Sequence, residues 1–355
     1  MVRTYALAAL KRIFTILGLV GLSAGAVCMA EPQRDELRVL TWPGYADTDI
    51  VEKFEKEFGT NVSVTYVSSD DDLWNKISIN NSAGYDVFAV NTAELQRYLK
   101  KGLVASINPK HIPNIQAQLP RFRDVKQLET IFISDAQYAV PYTYSEMGII
   151  YNKDKIAQPP ISIKSLWDSR YEGRVLAFDA SNHNFSIAAQ ALGFNNPFSM
   201  NSVQLVQAAK KLVDLRRNIL TFYSDPDEAL RIYRDSGAVL MYANYGAQQV
   251  RKMQAAGLNI GYVIPEEGAF AWLDCWVISR ASKNTKIAHE WINYMLTKEV
   301  GQALTQRQGL MNTIEQPVGQ DSRDRIIWLE ELLKPEERAD LWMRIRAGDA
   351  PESFK

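Results

Sequence analysis

The segment Ala269-Phe270-Ala271-Trp272-Leu273-Asp274 places an indole and a carboxylate two residues apart. Leu40-Thr41-Trp42-Pro43-Gly44-Tyr45 adds a second indole and a phenol. The face of a tryptophan attracts an ammonium by about 0.5 to 2 kcal/mol, and a carboxylate adds a directed, charge-assisted hydrogen bond. Together these residues have the chemistry to hold an organic amine cation. On a strand, residues two apart share a face, so Trp272 and Asp274 would meet one ligand while Cys275 points away as a small buried apolar residue.

Little else in the 355 residues suggests chemistry. There is no HExxH, GxSxG, CxxC or GxxxxGK pattern, and the three histidines, His111, His183 and His289, are far apart in sequence. An enzyme reading is therefore set aside, and no cofactor or metal is expected. Tyr242 and Tyr245 do not show the adjacent-tyrosine spacing of ferric-ion receptors, and facing tryptophans suit a metal poorly. A formal charge of −1 argues against nucleic acid as a partner. Lys100-Lys101, Lys210-Lys211 and Arg216-Arg217 are read as solvated helix faces, and Trp74, Trp167, Trp276, Trp291, Trp328 and Trp342 as packing residues.

The N-terminus predicts export. Arg3, Lys11 and Arg12 form a basic region, Ile13 to Val20 an apolar core, and Ala24 to Ala30 a run of mostly small residues, so residues 1–30 read as a cleaved signal peptide directing the chain to the periplasm. The apolar core is too short for a comfortable membrane span. Cys28 leaves a lipid-anchored form as the alternative, although Val27 and Gly25 do not suit it. Roughly 325 residues remain, enough for two domains. With Cys275 alone left, packing rather than a disulfide must hold them.

The mature chain opens with an α/β rhythm. Leu37 to Trp42 reads as a strand, Asp47 to Phe58 as a helix ended by Gly59, Asn61 to Val67 as a strand, and Asp70 to Asn81 as a helix with an acidic first turn. Tyr85 to Val90 is a further strand and Thr92 to Lys100 a further helix. A second unit has strands at Met147 to Asn152, Val175 to Asp179, Val239 to Ala243 and Ile260 to Val263, a helical turn at Ser165 to Asp168, and helices at Phe185 to Leu192 and Ser202 to Arg217. Such alternation implies parallel strands with ligands at their carboxyl ends, where Trp42, Pro43 and Asn91 fall.

Taken in order, several of these motifs are specific to one family. Trp42 and Tyr45, Tyr85-Asp86, Lys101-Gly102-Leu103-Val104, Tyr138-Ala139-Val140-Pro141-Tyr142, Leu166-Trp167 with Tyr171-Glu172-Gly173, Pro265 with Glu267-Gly268, and Trp272-Leu273-Asp274 resemble the periplasmic substrate-binding proteins of polyamine ABC transporters, the spermidine and putrescine receptors. The resemblance runs over nearly the whole mature chain. It implies an α/β, two-lobed, Venus-flytrap fold whose lobes are mostly parallel sheets flanked by helices, with an amine in the interlobe cleft that is delivered to a membrane permease. The lobes are expected at 31–139 plus about 272–312 and at 140–271 plus about 313–355, in a monomer.

Carried over by position, Trp42 and Tyr45 match the family's first-lobe aromatic wall, and Trp272 and Asp274 its aromatic and ammonium-binding acid. The chain departs from the pattern on the other side. Ala180 and His183 stand where two ligand-binding acids are usual, Asn244 replaces an aromatic, and Asn91 replaces a small hydroxyl residue. Leu310 and Met343 fall near positions of polar or aromatic contacts. A diamine needs an accepting partner at each end, because a buried unpaired ammonium costs several kcal/mol. Glu146 or Asp179 is one source of the missing charge; alternatively, His183 and Asn244 accept hydrogen bonds from a neutral or zwitterionic tail, as for a monoamine or amino-acid derivative. The partner has two readings as well, a permease or a membrane signalling protein that senses closure.

Overall fold

The structure is a computed structural model that describes residues 36–123, 131–133, 135–316 and 325–354; the expected leader and Cys28 lie outside them. The first part of the chain forms β1 (Glu36–Thr41), α1 (Thr48–Phe58), β2 (Asn61–Tyr66), α2 (Asp70–Ser78), β3 (Val87–Asn91) and α3 (Thr92–Lys100). β1 pairs in parallel with β2 and β3. Leu37, Val39, Val87 and Ala89 pack with Phe54 and Trp291 on one face, while Leu40, Phe88 and Val90 pack with Leu73, Leu95 and Tyr98 on the other. Burial of successive residues on opposite faces is what a parallel sheet covered on both sides requires. Gly59, at φ 65°, ends α1 by donating its N–H to the Glu55 carbonyl at 2.9 Å. α2 stops three residues before the predicted Asn81, because Asn80 and Asn81 take left-handed φ values of 54° and 50°, which asparagine tolerates better than most residues.

Four short elements follow, β4 (Val104–Ala105), α4 (Pro120–Arg123), β5 (Phe132–Ile133) and β6 (Ala136–Gln137). β7 (Val140–Asn152) is 13 residues long, more than twice the strand expected from sequence. Polar residues and Pro141 hide its first half from pattern reading. That half is buried all the same, and Pro141 sits where the register slips: Asp274 faces Thr143 but Cys275 faces Pro141, so the missing N–H falls at an irregularity.

The chain continues through β8 (Val175–Phe178), α5 (Ser181–Leu192), α6 (Ser202–Leu215), β9 (Ile219–Tyr223), α7 (Pro226–Asp235), β10 (Leu240–Ala243), α8 (Ala247–Ala255) and β11 (Ile260–Val263). α5 begins four residues before the predicted Phe185, so His183 lies in its first turn and not in a loop. β12 (Ala269–Ser279) then runs antiparallel to β7 and β3, followed by α9 (Thr285–Met295), α10 (Lys298–Gln308), β13 (Met311–Asn312), β14 (Ile326–Trp328) and α11 (Pro335–Ala347).

The main strand order is β2-β1-β3-β12-β7-β10-β8-β9. β7 and β12 belong to both halves. Val140 and Tyr142 pack in the core under α1, whereas Met147, Ile149 and Tyr151 pack with Phe185 and Leu205 in the second. Two paired strands thus join a first lobe, built on β1 to β3, to a second built on β8 to β11. Trp276 and Trp291 are fully buried, as packing residues should be.

At the junction Gly246 has φ 50°, and a Cβ there would lie 2.1 Å from the Glu146 carbonyl oxygen on β7. Gly246→Ala is expected to destabilise the fold by on the order of 2 to 4 kcal/mol, through both the left-handed backbone and the clash. A urea midpoint equal to the parent's, at the same m-value, would contradict this.

Candidate functional site

Asp274 is the centre of the strand-end region. It lies on β12, is 6 % exposed, and accepts a 2.5 Å hydrogen bond from the Tyr45 hydroxyl. Burial raises its pKa from the usual carboxylate range to about 7, a rise that the Tyr45 bond only partly offsets. The Tyr45 hydroxyl is held well above its ordinary value, by its own burial and then by the charge of Asp274.

Local geometry explains how Tyr45 arrives there. Pro43 and Gly44 occupy the middle of a tight turn in which the Tyr45 N–H donates to the Trp42 carbonyl at 3.2 Å, with Gly44 at φ 84°. That pattern suits proline followed by a residue that tolerates positive φ. Pro43 itself is exposed and serves the turn. The Tyr142 hydroxyl donates to the Tyr45 carbonyl at 3.1 Å, and the two rings meet edge to face at 5.6 Å. Trp42 is half-buried between the two first-lobe cores, and its Nε1 is buried with no hydrogen-bond partner among the described residues. Trp272 is half-buried and touches the cores of both lobes. Leu273 and Cys275 pack into the opposite core.

Asn91 ends β3 directly across from Asp274. Its Oδ1 caps α3 by accepting the Glu94 N–H at 2.9 Å, and its Nδ2 donates to Asp70 Oδ1 at 3.1 Å. The second lobe offers different groups. His183 Nδ1 and Asn244 Oδ1 form a short hydrogen bond, and the Phe178 ring stacks on the imidazole at 5.9 Å. Burial pushes the His183 pKa down, with the Asn244 bond as partial compensation, so the ring is neutral at pH 7. Asp179 is committed elsewhere. Its Oδ1 accepts from Trp342 Nε1 at 3.2 Å and its Oδ2 from Arg346, both on α11. Glu146 is buried on β7 opposite Ala271. Leu310 is buried in the core, and Met343 is exposed.

A cavity of about 530 Å³ lies between the lobes, within the range of small-ligand sites. Asp70, Asn91, Glu94 and Arg97 line it from the first lobe and Ser181 and His183 from the second, with Glu330, Glu331 and Glu336 from the second-lobe segment 329–339. The acids outnumber the single arginine and give it a field that favours cations. Of the residues singled out from sequence, Asn91 and His183 line this space. Trp42, Tyr45, Trp272, Asp274 and Asn244 do not, although Asp274 is the strand partner of Asn91. Asp70 was missed, because an acid after a serine at a helix start reads first as helix-start chemistry. Its position just beyond the carboxyl end of β2 is the signal that could have found it.

The chain belongs to the bacterial extracellular solute-binding protein family, which it matches over residues 49–316. It is 27 % identical over 274 residues to the spermidine/putrescine-binding periplasmic protein 1 of Haemophilus influenzae, covering 76 % of this chain and 73 % of that one. It is 25 % identical over 303 residues to the putrescine-binding periplasmic protein PotF of Escherichia coli, covering 79 % and 80 %. Among solved structures, the TpPotD lipoprotein of Treponema pallidum superposes with a TM-score of 0.76 at 20 % identity, over 88 % of this chain and 99 % of that one. The fold is the two-lobed fold of periplasmic solute-binding proteins, and the protein is a binding protein rather than an enzyme. Among the described residues no helix is long and apolar enough to cross a membrane.

The raised pKa of Asp274 predicts a pH-dependent cost to the ligand-free fold. Folding holds the proton more tightly than the unfolded chain does, so stability falls as pH rises from about 4 to about 7 and levels off above. Asp274→Asn keeps the shape without the charge. It is expected to be more stable than the parent by on the order of 4 kcal/mol at pH 8, and about equal at pH 4. Urea unfolding at the two pH values measures the gap, and an equal gap at both would refute the assignment.

Proposed function

We propose that this protein binds a polyamine or closely related organic amine in the periplasm and delivers it to an ABC-type permease. The observation that carries this reading is Asp274, a carboxylate buried at a strand end on the Tyr45 hydroxyl, with Trp272 two residues before it and Trp42 three residues before Tyr45. Such an acid lacks only a cation, and an ammonium docked there converts a costly buried group into an ion pair. The names of the relatives, receptors for spermidine and putrescine, point to the same ligand class. Residues 1–30, read as a leader, account for export.

In this mechanism the lobes part about β7 and β12, an ammonium exchanges with the proton on Asp274, and the alkyl chain lies against the indoles. Closure excludes water and strengthens the ion pair. His183 and Asn244 close over the cleft from the second lobe, where a neutral imidazole does not repel a cation.

Isothermal titration calorimetry of ligand-stripped mature protein against putrescine, spermidine, norspermidine and spermine tests the reading. Binding of at least one at micromolar affinity or better is expected, and heat from none of them would overturn it. Asp274→Asn should cost on the order of 2 to 5 kcal/mol in affinity. Because Asp274 must ionise first, the parent should bind about tenfold more weakly at pH 6 than at pH 8, releasing a proton on binding. A pH-independent affinity would place the ammonium elsewhere.

A further inference from the structure

The strands of the second lobe have two ends that differ in charge. Tyr151, Leu240, Val175 and Ile219 lie in one row across β7, β10, β8 and β9. Ser181 and His183 of the cavity wall follow the opposite, carboxyl end of β8. Beyond the row, at the amino ends of β8 and β9, residues 163–174 and the end of α6 are tied together. Trp167 Nε1 donates to the Lys211 carbonyl at 2.8 Å, and the Gly173 N–H to the Arg217 carbonyl at 3.1 Å. Asn218 Nδ2 donates to the Leu166 and Asp168 carbonyls at 2.9 and 2.7 Å. These bonds join the two segments into one surface, on the far side of the lobe from the cleft.

That surface is basic. Lys164, Arg174, Lys210 and Arg217 are exposed, and none of them has an acidic partner among the described residues. Lys211 lies over the Trp167 ring at 5.1 Å, and Arg216 donates only to the Ile345 and Asp349 carbonyls. Arg170 is paired with Asp168 at 2.6 Å and lies over the Tyr171 ring at 5.5 Å. The acids here without a cation are Glu172 and Asp214, with Glu352 in the C-terminal turn, while Asp349 is taken by Arg344. Past the end of β7, Lys153 and Lys155 flank Asp154, and at the end of α7 Arg234 pairs with Asp235. Cations therefore prevail over this end of the lobe, although the whole chain has a formal charge of −1. The surplus is balanced by acids elsewhere, those of the cavity among them.

We propose that this end of the second lobe is a docking surface for anionic phospholipid headgroups. A protein partner needs a shape-complementary core with buried anchors. This surface instead spreads its charges over turns and a helix end, around the half-buried rings of Trp167 and Tyr171. A fluid lipid surface adapts to spread charges, its attraction grows with each Lys and Arg brought near, and Trp and Tyr rings suit the headgroup level. With the cavity at the other end of the strands, the docked protein keeps its cleft clear of the lipid. The proposal does not depend on which ligand the cleft holds; under the reading above, it keeps the receptor close to a partner in the membrane.

The test is co-sedimentation of the mature protein with vesicles of phosphatidylcholine alone and of phosphatidylcholine mixed with phosphatidylglycerol. Binding to the mixed vesicles alone is expected, with a partition that falls at least about tenfold as salt rises from about 0.05 M to about 0.5 M and screens the charges. Lys210→Glu combined with Arg217→Glu should weaken it at least about tenfold at the lower salt. Lys56→Glu combined with Lys101→Glu makes the same change of charge at exposed sites on the first lobe and should alter it less than about twofold. Near-UV circular dichroism and the thermal midpoint establish that both variants are folded. No sedimentation with either vesicle would overturn the proposal, as would equal binding to both. An equal loss in the two variants would reduce the effect to net charge and overturn it too. Binding to soluble poly-glutamate but to neither vesicle would make the surface a site for an acidic protein instead.

Discussion

A carboxylate kept dry at the edge of the cleft is the constraint around which this structure is organised. Asp274 is hydrogen-bonded by the Tyr45 phenol and has no cation beside it among the described residues. Holding it there costs stability, and every element nearby limits how it can relax. The Pro43-Gly44 turn aims Tyr45, Tyr142 pins the Tyr45 carbonyl, and pairing of β12 with both β3 and β7 fixes the acid on its strand. On the proposed reading, a site preorganised in this way does not have to collect scattered groups when a cation arrives, which is how binding energy is conserved for the ligand.

The same two strands that position the acid join the lobes. β7 and β12 carry core residues of both halves, and Trp272 touches both. Motion between the lobes must bend or twist a paired ribbon whose buried side chains are already packed. That favours two discrete arrangements over a continuum.

The two walls of the cleft differ in charge. On the first lobe Asp70 is bonded to Asn91, the strand partner of Asp274, while Glu330, Glu331 and Glu336 line the space from the second. The second lobe faces them with the start of α5, a neutral His183 bonded to Asn244, and a buried Arg338. Asp179, which stands next to Ala180, has been drawn into an ion pair with α11 and contributes to folding instead.

Much of this was legible in the chain. Apolar periodicity located β1, α1, β2, β3 and α3, because a sheet covered on both faces and helices with one buried stripe impose patterns that survive in any tertiary context. Residue types at strand ends singled out Trp42, Tyr45, Trp272 and Asp274 as cation chemistry. The first half of β7 was not legible, since Pro141 and its polar neighbours are accommodated by a register slip that only the partner strand reveals. Nor were the true start of α5, the capture of Asp179 by Trp342 and Arg346, or the hydrogen bond from Asn91 to Asp70. Those depend on which distant segments meet, and side-chain type alone does not say whether an acid faces a ligand, a helix terminus or an arginine. Sequence determined what chemistry was available; the packing of β3, β7 and β12 with α2 and α11 decided which of the acids point into the cleft.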